Sequence, residues 1–221
     1  MAQTSAKTIE VVRIASTVPY REGYETQIAR RNLVETWEAG EALYLLEHTP
    51  VFTLGRKADE AHLLKSRDAL ANMGIDVLET DRGGDVTYHG PGQLVAYPIL
   101  DLRRRRQSIP WYLRKLEEVI IDFLAEYGIE GGRVEGYTGV WVEGAKVAAI
   151  GIGIHNWVTF HGIAINIDPD MSHFQLIVPC GIPDKPVTSL KLLLGEAPSM
   201  MSAFERFERH FVDAFPPVAP S

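Results

Sequence analysis

The chain has 221 residues, of which 46% are hydrophobic and 23% charged, and these values suit a protein that buries a core of its own. A formal net charge of −7 argues against non-specific nucleic-acid binding, and a single cysteine excludes an internal disulfide. No apolar run is long enough to span a bilayer and no secretory signal opens the chain, so we expect a cytoplasmic protein without membrane or nucleic-acid partners.

The first part of the chain alternates helical and strand-like segments. Apolar residues near helical spacing predict a helix from Pro19 to about Trp37. The segments LYLLEH and VFTLG predict two strands on either side of a turn at Thr49 and Pro50. A second helix is predicted over 66–73, because Ser66 can cap it and Gly74 can end it.

The longest predicted helix begins near Ser108, with Pro110 in its first turn, and ends before Gly128. Three strands follow in the segments VWV, KVAAIGIGI and VTFHGIAINI, which turn residues separate. A last helix is predicted over 199–215, and the proline-rich tail, 216–221, is expected to be frayed.

Strands and helices are interspersed, yet most strand connections are too short for a helical crossover. The pattern therefore predicts an α+β fold with a mixed or largely antiparallel sheet flanked by helices. No internal repeat or linker is visible, so we expect a single domain over 1–221.

Three features are candidates for chemistry. Cys180 lies in LIVPCGIPDKP, where it is either a small buried hydrophobe or a reactive thiol. Strand-like stretches flank a glycine-rich run, RGGDVTYHGPGQ, and such runs mark tight turns or backbone that approaches a ligand closely. Lys146 begins a strand of small and β-branched residues, and on its own it reads as an ordinary strand-end lysine.

Four segments, in order, carry a family resemblance: RGGDVTYHGPGQ, GYTGVWV with AKVAAIGIGI, HGIAIN, and VPCGI. They resemble the lipoyl(octanoyl) transferases, the octanoyl-acyl-carrier-protein:protein N-octanoyltransferases of lipoate biosynthesis. The likeness runs from LYLLEHTPVFTLGR to slightly beyond Cys180. It implies a fold similar to the catalytic domain of biotin and lipoate protein ligases.

The resemblance implies that an octanoyl group passes from acyl carrier protein to a thioester on Cys180, and then to a lysine of a lipoyl domain. Lys146 would favour the thiolate and relay protons. Exchange of thioesters is nearly neutral and amide formation is downhill, so no ATP and no other cofactor is expected. The sequence also shows no set of ligands spaced as a metal site.

The resemblance further implies a substrate site lined by small or loop residues. Its members are Arg82, Gly83, Gly84, Asp85, Val86, Thr87, Tyr88, His89, Ala149, Ile150, Gly151, Gly162, Ile163 and Ala164. We expect the N–H groups of the loop glycines, Gly83, Gly84, Gly90 and Gly92, to stabilise the thioester oxyanion.

Individual side chains of this site have alternative readings. Asp85 is expected to face solvent or a neighbouring cation such as Arg82. His89 is either an acid–base group or a residue that orders the loop, and we favour the ordering role. His161 is read as a satisfied strand histidine.

The implied partners are octanoyl-acyl carrier protein as donor, and lipoyl domains of 2-oxo acid dehydrogenase acyltransferase subunits and the glycine cleavage H protein as acceptors. Such partners are typically acidic. The run Arg103, Arg104, Arg105 and Arg106 is therefore either a docking patch or a solvated turn before a helix.

Three other functions remain open. An ATP-dependent lipoate or biotin protein ligase shares the fold but activates a free acid and needs no cysteine. A lipoyl amidotransferase uses the same chemistry with a different donor. A non-catalytic module that binds acyl carrier protein would tolerate Cys180→Ala, whereas a transferase would not.

Overall fold

The computed structural model describes residues 9–178 and 186–218. Its helices are α1 (Tyr20–Glu35), α2 (Arg67–Asn72), α3 (Ile109–Ala125), α4 (Leu190–Leu194) and α5 (Met200–Ala214). Its strands are β1 (Glu10–Val18), β2 (Ala42–His48), β3 (Val51–Leu54), β4 (Asp76–Glu79), β5 (Val86–His89), β6 (Gln93–Ile99), β7 (Gly132–Val134), β8 (Tyr137–Val142), β9 (Ala145–His155) and β10 (Val158–Asn166). Short 3₁₀ turns cover Glu60–His62, Leu102–Arg104 and Met171–Leu176.

The strands of the described residues form a large and a small sheet. The large sheet has the order β1-β2-β6-β10-β9-β8-β7, with β1 parallel to β2 and the remaining neighbours antiparallel. In the small sheet, β3 lies between a parallel β4 and an antiparallel β5. The α+β fold with a mixed sheet is therefore confirmed, but the division into two sheets was not predicted.

Local signals explain where the helices begin and end. Ser66, Ser108 and Ser199 each accept a backbone N–H with the side-chain oxygen at the start of α2, α3 and α5. Gly74 and Gly128 follow α2 and α3 with φ of 74° and 72°, a region that glycine enters without strain. These boundaries match the predicted helices within one to three residues.

The main core lies on one face of the large sheet. Helices α3 and α5 cover this face with a closely packed set of aromatic and aliphatic side chains, among them Phe123, Phe204, Phe207 and Phe211. Helix α1 covers part of the opposite face, over β6 and β10. The rest of that face, along β9 and β10, is left for the site described below.

The two ends of the described chain add to the sequence-based picture, and of the predicted frayed tail, 216–221, residues 219–221 lie outside the described residues. Residues 10–18 form a parallel edge strand that the sequence analysis did not predict. At the other end, Pro216 and Val218 use their carbonyl groups to accept hydrogen bonds from Arg105 and Arg104, both at 2.8 Å. Within residues 9–178 and 186–218, no helix is both long and apolar enough to cross a membrane.

Candidate active site

A cavity of about 780 Å³ lies between the glycine-rich loop and the open face of β9 and β10. Most of the predicted site residues line it: Arg82, Gly83, Gly84, Asp85, Val86, Thr87, His89, Lys146, Ala149, Ile150, Gly151, Gly162, Ile163 and Ala164. Cys180 lies outside the described residues. The fold thus brings together motifs that are far apart in the chain.

Arg82 holds the glycine-rich loop in place. Its buried guanidinium donates to the carbonyl and hydroxyl oxygens of Thr53 on β3, and to the carbonyl oxygens of Gly83 and Asp85. The loop is tied to the large sheet as well, because the Gly83 N–H donates to the carbonyl of Ile152 at 2.9 Å. Arg82 is therefore a structural brace of the cavity wall as well as part of its lining.

The expectation that the loop glycines supply oxyanion donors is wrong for two of them. The Gly83 N–H is already bonded to Ile152, and the Gly92 N–H donates to the carboxylate of Glu47 at 2.6 Å. Close packing explains Gly90, because a Cβ there would lie 1.9 Å from the hydroxyl of Tyr88. At these positions the glycines serve turns and close approaches within the protein.

Two further expectations need correction. Tyr88 does not line the cavity; its ring is 1% exposed and packs against Phe52 and Phe174 beneath the small sheet. The alternation of side chains along β5 places it on the face opposite Thr87 and His89. Asp85 faces neither solvent nor Arg82 with its carboxylate, which lies 2.8 Å from Nδ1 of His62.

A β-bulge turns Lys146 towards the cavity. Val140 pairs with Ala148, but the next residue of β8, Trp141, pairs with Lys146, so β9 carries one extra residue, Val147. Val147 and Ala148 both face the core. Without this extra residue, Lys146 and Ala149 would point to opposite faces of the sheet; with it, both line the cavity.

Lys146 is held firmly in this position. The residue is 9% exposed, and its Nζ lies 4.8 Å from the centre of the Trp141 ring. The backbone N–H of Lys146 donates to the carbonyl of Pro186, and the backbone carbonyl of Lys146 accepts the N–H of Thr188. The chain that follows the Cys180 segment is therefore bonded directly to the Lys146 backbone.

The floor of the cavity is made of small residues on β9 and β10. Gly151 pairs with Gly162, and Ala149 pairs with Ala164. A Cβ on Gly151 would lie 2.9 Å from the carbonyl oxygen of Gly83, so glycine at this position lets the loop approach the strand. The small side chains leave an apolar trough between loop and sheet.

Two polar side chains at one wall, His161 and Tyr20, are buried. His161 has a φ of 53°, and its Nε2 donates to Asp81 at 2.7 Å while its Nδ1 faces the Tyr20 hydroxyl at 3.3 Å. Burial lowers the pKa of His161, against the opposing effect of the Asp81 carboxylate. Burial also raises the pKa of Tyr20 to about 12. Since both ring nitrogens have partners, His161 fits its reading as a satisfied strand histidine.

A second polar network reaches the cavity through His89. Its Nδ1 lies 2.7 Å from Oε1 of Gln93, whose Nε2 donates to Asn166 and to the carbonyl of Tyr88. The Asn166 amide in turn donates to the carbonyl of Thr188. Sequence analysis did not single out Gln93 and Asn166, although both stand inside the quoted motifs RGGDVTYHGPGQ and HGIAIN.

The arginine run has partners within the protein. Arg103 forms a bidentate pair with Asp101. Arg105 pairs with Glu41 at 2.6 Å, and the side chains of Arg105 and Glu41 are each 6% exposed. Arg104 lies against the Trp37 ring. Three of the four arginines therefore fasten the turn before α3, which they tie to the connection between α1 and β2 and to the C-terminal tail.

Comparisons with known proteins agree with this architecture. The model of the lipoyl protein ligase A/B catalytic domain matches residues 22–212. A protein of Solibacter usitatus named "Octanoyltransferase" is 53% identical over 80% of both chains, and one of Thermosynechococcus vestitus with the same name is 49% identical over 90% of this chain and 84% of its own. Three quarters or more of each relative is thus represented in this chain.

A solved structure shows the same fold at low sequence identity. The bipartite lipoate protein ligase of Thermoplasma acidophilum is 14% identical, with a TM-score of 0.66 over 93% of this chain and 84% of its own. Such a likeness supports the fold, whereas the family rests on the family model and on the relatives at about half identity. The chain belongs to the octanoyltransferases, whose catalytic domain is that of the lipoyl protein ligases A and B.

Proposed function

We propose that this chain takes an octanoyl group from octanoyl-acyl carrier protein as a thioester on Cys180 and passes it to a lysine of a lipoyl domain. The observation that carries the proposal is the bulge in β9, which turns the buried Lys146 into the cavity beside the glycine-rich loop. Membership of the octanoyltransferases supports the choice of acyl group.

Chain connectivity supports a role for Cys180 at this cavity. Val178, two residues before it, donates its N–H to the carbonyl of His62, whose ring pairs with the cavity residue Asp85. Two residues span at most about 7 Å. Pro186, on the other side, is bonded to Lys146. Both flanks of the Cys180 segment are therefore attached to residues of the cavity wall or their direct partners.

In the first half-reaction, the Cys180 thiolate attacks the donor thioester, a new C–S bond forms, and the pantetheine sulfur leaves and takes up a proton. An ordinary thiol with a pKa of about 8.5 is only about 3% ionised at pH 7. An ammonium group beside the sulfur favours the thiolate, which is the role we assign to Lys146.

In the second half-reaction, the ε-amine of the acceptor lysine attacks the enzyme thioester. A C–N bond forms, the C–S bond breaks, and one proton of the amine is transferred so that Cys180 leaves as a thiol. The amide is more stable than the thioester, so the sequence of steps requires no nucleotide.

The trough suits a medium-length acyl chain. Ala149 and Ala164, which alternate with the core-facing Ile150 and Ile163, give it apolar surface. Burial of the six methylenes of an octanoyl group, at about 0.8 kcal/mol each, would contribute close to 5 kcal/mol of binding free energy. Enclosure also keeps water away from the thioester.

The proposed acceptors are the lipoyl domains of 2-oxo acid dehydrogenase acyltransferase subunits and the glycine cleavage H protein. A chain whose chemistry depends on one free thiol suits a reducing compartment, so we place it in the cytoplasm. The internal partners of Arg103, Arg104 and Arg105 favour a structural role for that run over docking of the acidic donor.

The test is intact-protein mass spectrometry after mixing the enzyme with octanoyl-acyl carrier protein and no nucleotide. We expect an octanoyl adduct on the wild type that discharges onto a lipoyl domain, no adduct on Cys180→Ala, and acylation at least about 100-fold slower for Lys146→Ala. Lys191→Ala is the control, since Lys191 pairs with Asp168 at the surface.

Two results would contradict the proposal. Activity that appears only with free octanoate and ATP would make the chain a ligase. Acylation of Cys180→Ala at the wild-type rate would remove the thioester from the mechanism. A donor series that compares octanoyl-acyl carrier protein with an octanoylated lipoyl protein separates the transferase from an amidotransferase.

A further inference from the structure

We propose that the segment GYTGVWV forms a cradle for Lys146, in which Trp141 is a positioning residue: its ring holds the lysine ammonium in one place by a cation–π contact. The effect of this contact on catalysis rests on the proposed function. The segment carries part of the family resemblance, but no step of the proposed reaction uses it otherwise.

Trp141 and Lys146 share one face of the large sheet. They are direct partners in the antiparallel pairing of β8 and β9, and such cross-strand partners have neighbouring side chains. Val140 and Val142, on either side of Trp141, both belong to the main core. Since successive side chains of a strand point to opposite faces, Trp141 points away from that core, to the face that carries the cavity.

The ammonium of Lys146 lies within reach of the Trp141 ring. The distance from Nζ to the ring centre is 4.8 Å, and a cation is attracted to an aromatic face within about 6 Å. Trp141 is 3% exposed and Lys146 is 9% exposed. The attraction is strongest for tryptophan and increases where water is excluded. The ring therefore offsets part of the cost of burying this charge.

Gly139 leaves space for the lysine stem. It lies two residues before Trp141 on β8 and has a φ of 127°, in the region that favours glycine. A Cβ at this position would lie 3.6 Å from Cε of Lys146 and 2.6 Å from the carbonyl oxygen of Ala148. Glycine thus allows β8 and β9 to come together at the place where the end of the Lys146 side chain lies beside β8.

The cradle is anchored to the rest of the protein. The N–H of Gly139 donates to Oε1 of Glu117 on α3 at 3.3 Å, and this buried carboxylate also accepts from Arg133 of β7 at 2.9 Å. The ring of Tyr137, which lines the cavity, lies against Trp141 with the ring centres 6.2 Å apart. These contacts fix both the backbone and the indole ring of the cradle.

A fixed ammonium is what the proposed chemistry needs. Lysine carries its charge on a flexible four-carbon stem, so a side chain without such a contact would spread the charge over several positions. Attraction to the indole face favours the one arrangement of the stem that puts Nζ over the ring. Loss of that attraction is therefore expected to slow the step that uses the cation of Lys146, while the trough for the acyl chain stays intact.

The test weakens the attraction without changing the shape of the ring. Site-specific replacement of Trp141 by mono-, di- and trifluorotryptophan withdraws negative charge from the ring face at nearly constant volume. Trp141→Phe keeps a weaker aromatic face, and Trp141→Leu removes it. The control is the same fluorinated series at Trp37, whose ring faces the guanidinium groups of Arg103 and Arg104 and is not part of the cavity lining.

We expect the acylation rate, timed by intact-protein mass spectrometry in single turnovers, to fall with each added fluorine at position 141, to a total of about 10-fold. Trp141→Leu should be about 30-fold slower than wild type, and Trp141→Phe should recover part of that loss. In a Lys146→Ala background, Trp141→Leu should have little further effect, because the two residues act as one unit. Fluorination of Trp37 should leave the rate unchanged.

A second measurement does not depend on catalysis. Protons that lie over an indole face resonate upfield, so NMR spectra of lysine-labelled protein should show one upfield ε-methylene group, which Lys146→Ala and Trp141→Leu both abolish. Ordinary shifts for Lys146 in the wild type, or an acylation rate that is independent of fluorination at position 141, would overturn the inference. If the wild type forms no adduct, the proposed function fails, and the Lys146 resonance still tests the cradle.

Discussion

At the scale of single residues, the polar wall of the cavity depends on histidines that burial keeps neutral. His48 is fully enclosed, with its Nδ1 donating to the carbonyl of Val18 at 2.8 Å and its Nε2 accepting from the Tyr97 hydroxyl at 2.6 Å. Burial lowers the pKa of His48 to about 4. An imidazolium at this place would carry its charge away from water, and its Nε2 could no longer accept from the Tyr97 hydroxyl.

This arrangement predicts a loss of stability in mild acid. The pKa of His48 in the folded protein lies below the unfolded value of about 6.5, so the unfolded chain binds more protons between these two pH values. The free energy of unfolding therefore decreases as the pH is lowered from about 6.5 towards 4. The contribution of His48 to the free energy of unfolding should drop by about 2 kcal/mol between pH 7 and pH 5. Urea unfolding at both pH values measures it.

The control for this prediction is His48→Asn, whose amide keeps a donor for the carbonyl of Val18. The variant is expected to be less stable at pH 7 but to lose about 2 kcal/mol less on acidification. His89 faces His48 and has the same direction of shift, so it contributes to both proteins. Equal losses for wild type and variant would show that His48 is not the group that titrates.

Sequence alone locates the residues of the site better than it assigns their roles. The motifs predict that His89 and Lys146 belong to one site, because glycine-rich runs and strands of small residues can be recognised directly in the sequence. The tautomer of His89 depends on Gln93 and Asn166, which are 73 positions apart and meet only through the pairing of β6 and β10. Composition and spacing contain no signal for such a contact.

At the scale of elements, the one glycine of β10, Gly162, is required by the packing of the sheet. A Cβ on Gly162 would lie 2.3 Å from the carbonyl oxygen of Ala96 and 2.7 Å from Cδ of Pro98, both on the neighbouring β6. Backbone and a proline ring cannot move aside cheaply. The closeness of β6 to β10 therefore requires glycine here, whatever binds in the cavity.

We expect Gly162→Ala to lower the free energy of unfolding by about 2 to 3 kcal/mol, because β10 must shift away from β6. Gly132→Ala is the matched control, since no atom lies within 4 Å of a Cβ built at this strand position. Thermal and urea unfolding of both variants give the comparison. If Gly162→Ala keeps wild-type stability and loses only octanoyl transfer, the steric requirement is that of the substrate.

The elements themselves were predicted unevenly, for physical reasons. Helices α2, α3 and α5 carry serine caps, and glycines follow α2 and α3, signals that act locally. The small sheet is different, because β3 follows β2 after a short turn and looks like its hairpin partner. Strand β3 instead pairs with β4 and β5 in the small sheet, and tertiary packing determines this pairing.

At the scale of the whole molecule, the bulge in β9 and the split into two sheets create the cavity together. The small sheet carries the glycine-rich loop over the face of β9, and the bulge turns Lys146 towards it. Neither feature has a sequence signature that could be read without a structure. The pairing of Lys146 with Cys180 was therefore predicted from the family resemblance and not from a geometric argument.

At this scale, the buried Arg105 and the exposed Arg106 of the arginine run predict different effects of charge reversal. Arg105 pairs with Glu41, its Nη1 donates to the carbonyl of Pro216, and both charged side chains are almost fully enclosed. Reversal to Arg105→Glu would leave two carboxylates together in a site with little water. We expect a loss of about 3 to 5 kcal/mol in the free energy of unfolding, as for other broken buried ion pairs.

Arg106→Glu is the companion variant, because the described residues show no ion pair for Arg106 and its side chain is exposed. It should unfold at the wild-type denaturant concentration, and its KM for octanoyl-acyl carrier protein reports on docking. A folded Arg105→Glu enzyme with normal stability and a raised KM for that donor alone would restore the docking role of the run. Loss of stability in Arg105→Glu, with an unchanged KM in Arg106→Glu, would place the surface that recognises the donor elsewhere on the molecule.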